Sequence, residues 1–181
     1  MPIKAVLVPV ADGFEEIETF TPVDILRRAG AKVVTAALGN ELLVTGRSGI
    51  TLQADKRFDD CNASDFDMLL IPGGPGVNEL RAEQRLGTIV RYFAAASRLM
   101  GAICAAPLVL HDSGALIRRR YTAHFCTKSE LPDALYDEPV VRDGNIITAR
   151  GAGVAVAFSI ELIRALYDDA KAEEVAQSIM A

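Results

Sequence analysis

Cysteine is scarce in this chain: three residues among 181, at positions 61, 104 and 126, an odd set with no C-x-x-C spacing. A disulfide framework and a zinc knuckle both need more than that, so neither is expected, no metal is expected, and a reducing cytoplasm is the expected home. Basic residues are also short, 19 Lys and Arg against 24 Asp and Glu, for a net charge of −5. Nucleic acid and anionic membranes both demand a basic surface, so neither is the expected partner. The one basic run, Arg118-Arg119-Arg120, reads as a solvated turn. No apolar stretch approaches the roughly 20 residues that cross a bilayer. Met1-Pro2-Ile3-Lys4 runs into an alternating segment with charge nearby, unlike a signal peptide. Repeats, low-complexity tracts and Ser/Pro-rich linkers are missing too, so residues 1–181 are expected to form a single domain. What remains is half hydrophobic and 24% charged, the balance of an ordinary globular protein.

The pattern along the chain alternates buried strands with helices. Lys4 to Val10, Lys32 to Leu38, Met68 to Ile71 and Leu99 to Ile103 are short, nearly continuous apolar runs, as strands covered on both faces would be. Glu15 to Ala29, closed by Gly30, Arg85 to Ser97, Ala105 to Ser113, Val154 to Tyr167 and Ala170 to Met180 read as helices. Leu42 to Val44 with Ile50 to Leu52, and Val140 to Arg142 with Ile146 to Ala149, read as hairpins, the first on the sheet edge. The expected fold class is α/β: a three-layer sandwich with a mostly parallel central sheet and a small edge hairpin. Ligand sites in such sheets lie beyond the C-terminal strand ends. The unusual residues gather there: Asp12 to Glu18, Pro72 to Gly76, Cys104, and Arg150 to Gly153.

Gly101-Ala102-Ile103-Cys104-Ala105-Ala106-Pro107 passes from strand to helix through small residues, the setting of an exposed nucleophile. A helix N-terminus there would favour the thiolate, so Cys104 is read as reactive, with a lowered pKa. Cys61 and Cys126 are read as small buried hydrophobes. His111 lies seven residues on in the same helix, about 10 Å along its axis, too far for a direct hydrogen bond. His124 could return over the site from the loop before Cys126; a metal held by His124 and Cys126 would lack a third ligand. Glu15 and Glu16 fit the first turn of a helix, where acids are favoured. Glu18 differs: Pro22, four residues on, has no N–H for its carbonyl, and a glutamate pointing over the sheet would be partly buried and protonated near neutrality. The Pro72-Gly73-Gly74 turn, with the N–H of Ala105, could form an oxyanion hole. Arg150-Gly151-Ala152-Gly153 has Val156 where the dinucleotide fingerprint wants Gly or Ala, so nucleotide binding is discounted and no cofactor is expected.

Five ordered motifs carry a family resemblance: Asp-Gly-Phe-Glu-Glu-Ile-Glu, Pro-Val-Asp-Ile-Leu-Arg-Arg-Ala-Gly, Ile-Pro-Gly-Gly, Ala-Ile-Cys-Ala-Ala-Pro and Thr-Ala-Arg-Gly-Ala-Gly. Over essentially its whole length the chain resembles the DJ-1/ThiJ/PfpI superfamily, closest to its parkinsonism-associated and bacterial ThiJ-like branch. The resemblance implies a flavodoxin-like fold and a homodimer. By position it implies that Cys104 is the nucleophile and oxidation-sensitive thiol, that Glu18 hydrogen-bonds its sulfur or sulfinate, and that Gly73, Gly74 and Ala105 supply backbone donors. His124 matches a histidine near the cysteine, with Phe125 following where that branch has proline. Arg47 falls in a hairpin that in relatives approaches the partner subunit's site. Ala105 stands where protease-like branches place a histidine, which removes a pre-positioned base and disfavours peptidase activity. The expected activity is cofactor-independent glyoxalase or deglycase chemistry on small α-oxoaldehydes through a Cys104 hemithioacetal. The alternative is a non-enzymatic oxidative-stress sensor in which Cys104 becomes a sulfinate stabilised by Glu18.

Overall fold

The structure is a computed structural model, and it describes residues 3–181. The strands are β1 (Ala5–Val10), β2 (Lys32–Ala37), β3 (Leu43–Thr45), β4 (Thr51–Gln53), β5 (Lys56–Arg57), β6 (Met68–Ile71), β7 (Leu99–Ile103), β8 (Val140–Asp143) and β9 (Ile146–Ala149). Between and after them run the helices α1 (Glu16–Arg28), α2 (Val77–Ala82), α3 (Gln84–Ala95), α4 (Pro107–Asp112), α5 (Ala155–Leu166) and α6 (Asp169–Ser178).

Seven strands form one sheet in the order β5-β2-β1-β6-β7-β9-β8, parallel except for the β8–β9 pair. Strand periodicity divides the core between the two faces. Leu7, Leu69 and Ile71 pack on one side with Leu86, Val90 and Phe93 of α3. Their chain neighbours Val6, Val8, Met68 and Leu70 pack on the other with Leu26 of α1 and Phe158 and Leu162 of α5. Burial on both faces is why these strands read as unbroken apolar runs. The architecture is the flavodoxin-like α/β sandwich expected from the sequence.

Three details differ. The hairpin of β3 and β4 is a two-stranded sheet of its own, and the edge beside β2 is taken by the two-residue β5. Helix α2 occupies a stretch that carries too short a periodic pattern to be recognised. The helix expected over Ala105 to Ser113 is only α4, because Cys104 to Ala106 form a turn in which Cys104 has φ +64°. No helix among the described residues is long and apolar enough to cross a membrane.

Candidate active site

Segments at the C-terminal ends of β1, β6, β7 and β9, with the β3–β4 turn and the loop around His124, build one pocket of about 440 Å³. Cys104, Glu18, Ala105, Gly74, His124 and Arg47 all line it. Gly73 is buried behind it.

Cys104 hangs from the end of β7, its N–H donating to the carbonyl of Ala149 on β9 at 2.8 Å. Its positive φ is a left-handed conformation that side chains other than glycine adopt at a cost of order 1–3 kcal/mol, and it turns the thiol up from the sheet into the pocket. The expected lowering of its pKa does not occur. Burial, the Glu18 carboxyl and a nearby Cys126 all push the Cys104 thiol up, against a favourable contact with the N–H of Ala105. The helix meant to favour the thiolate starts at Pro107 and is six residues long, too far and too short to outweigh that.

Glu18 comes from the first turn of α1. The side chain of Glu15, the N-cap, accepts the Glu18 N–H at 2.7 Å, fixing that turn over the sheet. Glu18 is only 2% exposed, and its Oε2 has no hydrogen-bond partner among the described residues. Burial raises its pKa to about 7, with a small addition from Glu15; the Cys104 thiol, the Ala152 N–H and Arg47 pull the other way. Thiol and carboxyl thus compete for protons in one enclosed space, and near neutrality the carboxyl is the group that titrates.

Gly73 explains how they meet. A Cβ there would overlap Glu18 Oε2 and lie 2.7 Å from Cys104 Cβ and 2.9 Å from the carbonyl of Ile103. Only glycine leaves room for carboxyl and nucleophile side by side. Gly74, at φ +96°, turns the chain back so that Gly73 O can accept the Glu15 N–H at 3.0 Å. The N–H groups of Gly73, Gly74 and Ala105 donate to no backbone carbonyl among the described residues, and that of Ala105 faces the Cys104 thiol, which leaves them available to an oxyanion formed there.

The histidine and the arginine are both present. His124 N–H donates to the carbonyl of Cys104 at 2.8 Å, tying that loop to the nucleophile turn. Its Nδ1 accepts the Cys126 N–H at 3.3 Å, and its ring lies 4.1 Å from that of Phe125. It makes no hydrogen bond to the thiol. Arg47 faces the pocket of its own chain, held by its N–H on the Phe14 carbonyl at 2.9 Å. Buried Glu16 sets that loop too: Oε1 accepts the Ser48 N–H at 2.7 Å. Although burial opposes it, the N–H groups of Ser48, of Glu16 itself and of Ile50, with the Ser48 hydroxyl, keep the Glu16 carboxyl below its usual range.

The sequence reading missed Asn78, Leu108 and Thr127 in the pocket lining, none of which carries a motif. It also misplaced Cys126, which is exposed and shares the pocket with Cys104, while Cys61 is buried as expected. Among the described residues no group of three or more His, Cys, Asp or Glu side chains is placed to hold a metal ion.

The DJ-1/PfpI family model matches residues 4–165. The chain belongs to the DJ-1/PfpI family. Within it, the chain is 36% identical over 178 residues to DJ-1 homolog B of Arabidopsis thaliana, covering 97% of this chain and 41% of that protein. It thus spans less than half the length of the two Arabidopsis relatives it matches. It is 32% identical to the glutathione-independent glyoxalase DJR-1.2 of Caenorhabditis elegans, over 89% of this chain and 87% of that one. A deglycase of Pyrococcus abyssi is 30% identical over 89% of this chain and 98% of its own. The crystal structure of Drosophila melanogaster DJ-1beta superposes with a TM-score of 0.95 at 34% identity, covering 99% of both chains. Family members therefore include proteins named for glyoxalase and for deglycase activity.

Proposed function

We propose that the protein is a cysteine-dependent enzyme of small α-oxoaldehydes, converting methylglyoxal to lactate without a cofactor, or removing such aldehydes from their adducts by the same intermediate. The observation that carries this reading is the buried Glu18 carboxyl beside Cys104, one oxygen of which has no partner among the described residues, poised to titrate near pH 7. Because the thiol is not ionised in advance, attack needs a base, and Glu18 is the base at hand. Glu18 takes the Cys104 proton as sulfur attacks the aldehyde carbon. The hemithioacetal oxyanion is received by the free N–H groups of Gly73, Gly74 and Ala105. Proton transfer from the former aldehyde carbon to its neighbour then gives a thioester, and water releases the hydroxy acid. The sum is addition of one water to methylglyoxal, with no net oxidation. Arg47 offers a cation for the second carbonyl, and His124 an additional proton carrier.

The relatives named as glyoxalase and deglycase support the substrate class. Ala105 after the cysteine gives no pre-positioned imidazole, which argues against peptidase chemistry. The test is multiple-turnover conversion of methylglyoxal by the wild type, Glu18→Gln and Cys104→Ser; turnover in the wild type alone supports the reading, and its absence there sinks it.

A second reading is favoured by the same orphaned Glu18 oxygen, which as a protonated acid would donate to a Cys104 sulfinate and make the site an oxidation sensor. In either reading we propose a homodimer. Phe20 of α1, Val156 of α5 and the C-terminal Ile179 and Met180 line a shared surface groove, and Met180 is 95% exposed.

A further inference from the structure

Cys126 has no part in the reaction above, yet it stands in the same pocket as the nucleophile. The chain brings it there through a specific contact, since His124 N–H is bonded to the Cys104 carbonyl and Cys126 is two residues further on. Between His124 and Thr127 the backbone makes a single 3₁₀ turn, Phe125–Thr127. Its far end is fixed, because buried Thr127 donates from Oγ1 to the His124 carbonyl at 2.8 Å. Its crest faces solvent: Phe125 is 68% exposed and Cys126 is exposed, so neither is packed in the core, and the Cys126 N–H bond to His124 Nδ1 leaves the thiol itself unheld. The two thiols share an electrostatic neighbour in Glu18. After burial and Glu18, Cys126 is among the causes that raise the Cys104 pKa, and Glu18 follows burial among those that raise the pKa of Cys126. Cys61, by contrast, is buried away from the pocket with its thiol on the Arg57 carbonyl.

We propose that Cys126 is a resolving thiol for Cys104, so that a hydroperoxide converts the pair to an intramolecular Cys104–Cys126 disulfide. In the first step Glu18 takes the Cys104 proton, a bond forms between Cys104 sulfur and the terminal peroxide oxygen, and the O–O bond breaks. The departing alkoxide, or hydroxide from hydrogen peroxide, leaves as alcohol or water, and Cys104 is a sulfenic acid. In the second step the Cys126 sulfur attacks the sulfenic sulfur, the S–S bond forms, the S–O bond breaks, and water leaves with the Cys126 proton. Two thiols lose two electrons and the peroxide gains them. A small dithiol returns both cysteines to the reduced state. The 3₁₀ turn supplies the movement, rotating Cys126 toward Cys104 until the Cα atoms are about 4.4–6.8 Å apart, as a disulfide requires. Resolution inside one pocket outruns a second peroxide, which spares Cys104 from sulfinate.

This step uses the same thiol as the proposed aldehyde reaction but does not depend on it, and methylglyoxal turnover of untreated protein, measured alongside, keeps the two separable. The test treats wild type, Cys126→Ser, Cys126→Ala and Cys61→Ser with a small excess of hydrogen peroxide over the two oxidising equivalents that a sulfinate consumes, followed by intact mass and tryptic mapping. The wild type and Cys61→Ser are expected to become about 2 Da lighter, to yield the tryptic peptide of residues 99–118 joined to that of 121–128, and to recover fully with dithiothreitol. Both Cys126 variants are expected to gain about 32 Da on Cys104 instead, with the sulfinate fraction raised about tenfold over wild type. Two results overturn the proposal. One is a wild type that accumulates the same Cys104 sulfinate as the Cys126 variants, with Cys126 still alkylatable. The other is a disulfide that joins two chains through Cys126.

Discussion

At the residue scale the account rests on one pair, Glu18 and Cys104. Glu18→Gln keeps the volume and a donor but removes the base, so methylglyoxal turnover is expected to fall about 10²–10⁴-fold, checked by steady-state kinetics on a variant whose circular dichroism is unchanged. The pH profile follows from the same group. Activity needs the carboxylate, so kcat/KM should rise as pH climbs through about 7. Stability runs in the opposite direction. With its pKa raised from about 4.5 to about 7 on folding, Glu18 binds its proton more tightly in the native state. Its contribution is complete below pH 4.5 and is lost as pH rises through 7, on the order of 3 kcal/mol at most. Denaturant titrations should show that decline in the wild type and a flatter profile in Glu18→Gln. Much of this is legible in the sequence. A glutamate four residues before Pro22, at a strand end, pointed to burial and protonation near neutrality. The thiol's pKa is not, because its direction is set first by burial and then by the approach of Glu18, for which the missing side chain of Gly73 on a different loop makes room.

At the scale of elements, the turn after β6 and the hairpin of β3 and β4 do most to shape the site. Gly73→Ala forces a methyl between Cys104 and Glu18, so a loss of about 1–3 kcal/mol in urea denaturation, with activity abolished, is expected. The hairpin acts through Arg47. Glu16→Ala frees the Ser48 N–H that Glu16 Oε1 accepts and loosens the loop carrying Arg47. If Arg47 binds the second carbonyl, Glu16→Ala and Arg47→Ala should both raise KM more than they lower kcat. The strands other than β5 are readable to within a residue, and for β1, β2, β6 and β7 the reason is burial on both faces, which leaves a nearly unbroken apolar run. The short helices are not. Six residues of α2 hold too little periodicity to recognise, and α4 loses its expected first turn to the left-handed conformation of Cys104. The exposure of Cys126 likewise depends on a 3₁₀ turn that three residues cannot announce.

At the scale of the molecule, the sheet gathers loops distant in sequence at one end, and a surface groove beside α1 and α5 brings together Phe20, Val156, Ile179 and Met180. Phe20→Asp should turn a dimer into a monomer in light scattering; a wild type that is already monomeric contradicts that assignment. The central claim is that Glu18 drives Cys104 chemistry on α-oxoaldehydes. Its most direct test is the yield of lactate from methylglyoxal per active site, in wild type, Glu18→Gln and Cys104→Ser. The account predicts many turnovers in the wild type, with rates rising through pH 7, and essentially none in either variant. Wild-type yield no greater than one per site, or full turnover in Glu18→Gln, would contradict it.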